Sequence, residues 1–193
     1  MIKGKYFIIL FLIAVAGVAG FWWTKNNSSE RSVDNSETAG GTPTSAGVAK
    51  PATNYPQIIG NFLVTNKEIC KENNKPIVYF FGSATCPHCV WEKPIAQKVF
   101  GEFKDYISYH ENYDSNREGD VFQKYSDINP GYIPFLILGC KYARVGAGES
   151  LGKTDEESKI LEEEALKAIL CKITDGKPSA ICNPLKDKTS EIK

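Results

Sequence analysis

Ile77-Val78-Tyr79-Phe80-Phe81, then Gly82-Ser83-Ala84-Thr85, then Cys86-Pro87-His88-Cys89 is the stretch on which the fold turns. The first five residues are apolar or aromatic on both faces, which suits a central strand covered on each side. The next four read as a loop. Pro87 then falls in the first turn of a helix, where its missing N–H would have been unpaired anyway. A Cys-x-x-Cys spacing at a helix start lets two sulfurs cycle between dithiol and disulfide within one turn. Free backbone N–H groups and the positive end of the helix dipole favour a thiolate on the first sulfur. Cys86 is therefore the candidate nucleophile, and Cys89 the cysteine that resolves a mixed disulfide.

Working outward, Phe62-Leu63-Val64 reads as a weak first strand and residues 66–73 as a short helix. The helix opened by the cysteine motif extends to about Phe103, with a kink at Pro94. Tyr106 to His110 alternates as a strand, and Val121 to Tyr125 forms a short helix. Phe135 to Leu138 and Tyr142 to Val145 make a hairpin around Gly139-Cys140-Lys141. Thr154-x-x-Glu157 is a capping box. It starts a helix whose Ile160, Leu161, Ala165, Ala168 and Ile169 share one face. Asp155-Glu156-Glu157 offsets the helix dipole, and Glu162-Glu163-Glu164 reads as a solvated face. The whole is an α/β domain over residues 56–182, with a C-terminal tail at 183–193.

The chain has 193 residues and a formal net charge of zero, so nothing points to nucleic acid. Its six cysteines are rich for a cytosolic chain and fit an oxidising compartment. Residues 1–23 read as a membrane anchor or signal sequence. Lys3 and Lys5 precede an uncharged run from Tyr6 to Trp23 that is just long enough to span a bilayer core. Phe21, Trp22 and Trp23 would form an interfacial belt. Small-residue sites at Ala14-Val15-Ala16 and Gly17-Val18-Ala19 keep a cleaved signal peptide as the rival, which would give a secreted domain. The retained single-pass anchor is favoured, because the tryptophans extend the apolar run past those sites. Both readings put the domain on the extracytoplasmic side, behind a Ser/Thr/Gly-rich linker at 24–55.

The order strand, Cys-x-x-Cys, helix, strand, helix, hairpin, helix resembles the thioredoxin fold, with a central mixed sheet flanked by helices. Cys86-Pro87-His88-Cys89 is the variant typical of DsbA-like oxidases. Pro94 resembles the kink proline of the active-site helix. Ile133-Pro134 resembles the cis-proline that faces the cysteines in this superfamily, and Val145-Gly146-Ala147 resembles the loop glycine near the same site. The resemblance implies that Pro134 turns the backbone of Ile133 outward to pair with an extended substrate segment. It implies that His88 tunes the pair by donating to, or sitting positively beside, the Cys86 thiolate. Trp91 is a candidate for the substrate rim and equally for the core. Two departures stand out. The large helical insertion of DsbA is missing, so the domain is thioredoxin-sized. Tyr79 also stands where the family buries a carboxylate, which leaves deprotonation of Cys89 to water or to Tyr79.

By the same resemblance, Cys70, Cys140 and Cys171 lie at the pole opposite the motif, with Cys182 following. This favours structural disulfides Cys70–Cys140 and Cys171–Cys182. Cys140–Cys171 with Cys70–Cys182 remains open. A zinc site would need two ligands beyond Cys86 and Cys89, so no metal and no cofactor are expected. The implied activity is that of a membrane-tethered thiol–disulfide oxidoreductase. It would pass disulfides to cysteine-containing exported proteins and be reoxidised by a DsbB- or VKOR-like membrane oxidase. The alternatives are a reductase or isomerase fed by a membrane electron carrier, and a non-catalytic thioredoxin-like binding module.

Overall fold

In the computed structural model, which describes residues 54–193, the strands are β1 (Leu63–Val64), β2 (Lys71–Glu72), β3 (Lys75–Gly82), β4 (Ser108–Tyr113), β5 (Phe135–Leu138) and β6 (Tyr142–Val145). The helices are α1 (Pro87–Glu102), α2 (Gly119–Gln123), α3 (Asp155–Ile173), α4 (Ser179–Cys182) and α5 (Lys186–Glu191). The expected anchor at 1–23, and the linker up to residue 53, lie outside the described residues. No helix among the described residues is long and apolar enough to cross a membrane.

β3 is central because its side chains can be buried on both faces. It pairs antiparallel with β5, Phe80 opposite Leu136, and parallel with β4, Phe80 opposite Glu111. β5 continues antiparallel to β6, and β6 to β1, giving a mixed sheet. Val78, Phe80, Leu136 and Leu138 point to one side, where they meet Ala96, Val99 and Phe100 of α1 and Leu166 and Ile169 of α3. Tyr79, Phe81, Phe135 and Ile137 point to the other, where Val121 and Phe122 of α2 and Tyr125 cover them. Each fully buried Phe or Leu contributes roughly 1.5–3 kcal/mol of transfer free energy.

Four expectations are corrected. Residues 66–73 form no helix. Asn73 and Asn74 both take left-handed φ, 48° and 65°, and close a tight hairpin that pairs Glu72 of β2 with Lys75 of β3. Residues 183–193 are no loose tail. They form a 3₁₀ turn and α5, Ile192 joins the core, and the Tyr142 hydroxyl donates to the Lys193 carbonyl at 2.8 Å. On α3, Thr154 caps as expected, its Oγ1 accepting the Glu157 N–H at 3.1 Å. Ile160, however, is 66% exposed, whereas Glu162, read as solvated, is fully buried.

The structure pairs Cys70 with Cys140 and Cys171 with Cys182. The Cys70 N–H donates to Gly139 and its carbonyl accepts from Ile77, so this bridge sits at the start of β3. The motif cysteines lie just past the other end of the same strand.

Candidate active site

Cys86 is the N-cap of α1. Its Sγ accepts the Cys89 N–H at 3.3 Å, and Pro87 occupies the first helical position. One of the unpaired donors at the helix start is thus aimed at the sulfur. Cys86 is half-buried and unbonded, whereas Cys89 is unbonded and fully buried. Gly82 makes that burial possible. A Cβ there would lie 2.9 Å from the Tyr113 ring and 3.4 Å from the Cys89 Cβ, so no larger residue fits without a shift.

Burial pushes the Cys89 thiol up to about 12; a hydrogen bond with Cys86 and the charges of Cys86 and Asp114 add to this, and only the Ser83 backbone N–H works against them. Cys89 therefore holds its proton more tightly than an exposed thiol, and Cys86 is the more accessible of the two sulfurs. Tyr79 is not available to take the Cys89 proton. Strand alternation puts it on the opposite sheet face, in the cluster with Phe81 and Tyr125, and its charged neighbours are Glu118, Glu72 and Asp120. The phenol that senses the cysteine charges is Tyr113, at the end of β4, with the Lys93 ammonium 3.6 Å above its ring.

Ile133-Pro134, whose peptide bond is cis, faces the pair. The Cys86 thiol donates to the Ile133 carbonyl at 3.6 Å. Asn129 fixes the approach to this loop: its Oδ1 accepts the Gly131 and Tyr132 N–H groups, and its Nδ2 donates to the Tyr132 carbonyl. On the far side, the Gly146 N–H donates to the Pro134 carbonyl at 2.8 Å, with Gly146 at φ 90°. An open cavity of about 430 Å³ lies against the loop before Cys86 and against Ile133, with Phe81, Phe122 and Ile133 among its apolar lining and Ser83 and Asp114 among its polar lining; neither motif cysteine lines it.

Behind this loop lies a buried charge cluster that sequence reasoning missed. Arg144 of β6 makes a two-pronged pair with Glu162 of α3, at 2.5 and 2.8 Å, and its Nη2 lies 3.0 Å from Glu92 of α1. Its Nε donates to the Gly146 carbonyl, and the Gly148 N–H donates to Glu92 Oε2. A Cβ at Gly148 would collide with the Glu162 carboxylate. Burial, reinforced by the neighbouring Glu162, pushes Glu92 up to about 8 and outweighs the pull of Arg144. One guanidinium and one proton therefore serve two buried carboxyl groups. Residues from three distant segments make up this cluster, and no local pattern marks it.

Of two other candidates, His88 pairs with an acid and Trp91 takes the core alternative of its two readings. The exposed His88 ring bonds through Nδ1 to Glu149 at 2.5 Å. Trp91 donates from Nε1 to Asp155 at the start of α3 and packs against the core; it does not line the cavity. Asp114 was also missed. The available signal was topological, since the C-terminal ends of parallel neighbours converge, and the residue after β4 must meet the loop after β3. Among the described residues, no group of three His, Cys, Asp or Glu side chains could hold a metal ion.

No protein-family model matches this chain, and no curated protein or solved structure does so either.

Proposed function

We propose that the protein is a thiol–disulfide oxidoreductase with a thioredoxin-like fold and a DsbA-like Cys86/Cys89 pair, tethered by its N-terminal segment and facing the extracytoplasmic side. The observation that carries this reading is the asymmetry of the pair. One half-exposed sulfur caps a helix beside the Ile133 carbonyl, and the other is fully buried three residues on. The four remaining cysteines are bonded to each other elsewhere, so thiol chemistry is confined to this pair.

In the oxidised protein a substrate thiolate attacks Cys86, and Cys89 leaves and takes up a proton. A second substrate thiolate then attacks the substrate sulfur of the mixed disulfide, and Cys86 is released. The substrate loses two electrons and gains a disulfide. Extended cysteine-containing exported proteins suit the open cavity and the Ile133 backbone. A DsbB- or VKOR-like membrane oxidase is the class of partner that restores the Cys86–Cys89 bond.

The test is a glutathione redox titration of the pair. A reduction potential of about −120 mV is expected of a disulfide donor, and one of about −270 mV overturns the donor direction. In parallel, Cys89→Ala is expected to accumulate mixed disulfides on Cys86 in cells; a variant that traps nothing removes the redox reading.

A further inference from the structure

Asp114 directly follows β4, in a left-handed conformation at φ 51°. It grips three consecutive residues of the loop that delivers Cys86. Its N–H donates to the Gly82 carbonyl at 3.0 Å. Its Oδ1 accepts the Ser83 hydroxyl at 2.6 Å, and its two oxygens share the Ala84 N–H at 3.1 and 3.2 Å. The next link reaches the cysteines, because the Ser83 carbonyl accepts the Cys86 N–H at 3.2 Å while the Ser83 N–H faces Cys89. A Cβ at Gly82 would in turn lie 3.4 Å from the Cys89 Cβ, so this end of β3 runs close beside Cys89.

The titratable groups that act on Cys89 are Cys86 from the head of α1 and Asp114 from the end of β4; the Tyr113 phenol, with Lys93 above its ring, in turn senses the Cys89 charge. Asp114 is the one carboxylate among them.

We propose that Asp114 is a positioning residue for the Cys86/Cys89 pair, its carboxylate anchoring the Ser83-Ala84 turn that presents Cys86 and its charge restraining Cys89 from attacking the mixed disulfide. The inference rests on the thiol–disulfide reading above. Its consequence is directional. If Cys89 deprotonates and attacks Cys86, the Cys86–Cys89 bond re-forms and the substrate departs still reduced. If Cys89 is restrained, the mixed disulfide persists until the second substrate thiolate takes the bond. A negative charge beside Cys89 thus commits the intermediate to disulfide donation.

The experiment follows reduced full-length protein, in detergent, with oxidised glutathione. First, the Cys86 thiolate attacks the glutathione disulfide and one glutathione thiolate leaves. Then Cys89 gives its proton to solvent, attacks the Cys86 sulfur and expels the second glutathione. Two electrons pass from the dithiol to glutathione overall. Asp114→Asn keeps an oxygen acceptor for Ser83 and Ala84 but removes the charge. It is expected to speed the second step by about threefold or more, the scale of an exposed charge acting across a few ångströms. Its pH profile should shift to lower pH, with the first step changed less than about twofold. Asp114→Ala also loses the anchor and is expected to slow the first step, which a charge effect alone does not do. A second step unchanged or slowed in Asp114→Asn overturns the inference while the oxidoreductase reading stands. A wild-type protein that forms neither a Cys86–glutathione bond nor a Cys86–Cys89 bond overturns that reading, and the inference with it.

Discussion

At the C-terminal end of β3, Cys86 and Cys89 stand unbonded within one helical turn; at its N-terminal end, Cys70 is bonded to Cys140, and Cys171 is bonded to Cys182 close by. The chemistry of the side chain is the same at both ends. At the lower end each sulfur belongs to a segment fixed by its own backbone hydrogen bonds, as with the Cys70 N–H on Gly139, and neither bridge has a half-exposed sulfur waiting at a helix start. At the upper end both sulfurs ride on the head of α1, one capping it and one sealed beneath Gly82 and Tyr113. Sulfur–sulfur bonds at the lower end tie segments of the fold together, whereas at the upper end the two sulfurs stand unbonded, as the proposed exchange chemistry requires. The ladder between them is the shared strand.

The comparison breaks most sharply at Cys86. Cys86→Ser is expected to abolish exchange with oxidised glutathione, a loss of at least about a thousandfold, while circular dichroism and urea unfolding stay near wild type. A variant that still exchanges would place the reactive thiol elsewhere.

Next in size is the charge cluster behind the site. Arg144→Ala leaves Glu162 and Glu92 buried without their cation and is expected to cost about 3–5 kcal/mol in urea unfolding. A cost below about 1 kcal/mol would mean that water enters and replaces the guanidinium.

The lower pole should respond in stability alone. Cys70→Ala with Cys140→Ala opens a loop closed across 70 positions, and Cys171→Ala with Cys182→Ala one closed across 11. Chain entropy gives losses of about 4 and about 3 kcal/mol respectively, with glutathione exchange at Cys86 unchanged. Slowed exchange in either double variant would show that the two poles are coupled.

The last effect is one of pH. Folded Glu92 holds its proton up to about pH 8, whereas an exposed carboxyl in the unfolded chain releases it near its ordinary value of 4.5. Between those values the folded state binds the extra proton, so stability is greatest at the acid end and falls as pH rises towards 8. Glu92→Gln is expected to flatten this slope. If it persists unchanged in urea titrations at several pH values, another group is responsible.

Ile77 to Phe81 announced a doubly covered strand because unbroken apolar character has few other soluble uses, and Cys86-Pro87 announced the helix start because capping and proline rules act within a few residues. Local signals of the same kind exposed the Phe135–Val145 hairpin and the Thr154 cap. The failures share one cause. Residues 66–73 were read for helix, whereas two left-handed asparagines and pairing with β3 made them a hairpin. Glu162 looked solvated until Arg144, eighteen positions away, supplied its partner. Tyr79 could be assigned to a sheet face only once its neighbours were known, and Asp114 acquired a role only where β4 ended beside the loop after β3. By itself the sequence determined which sulfurs could share a helical turn and where the main apolar elements begin, since these depend on neighbours along the chain. Only the tertiary structure decided which charges are buried, what covers Cys89 and how the last eleven residues close the core, because those depend on contacts between segments that local periodicity does not encode.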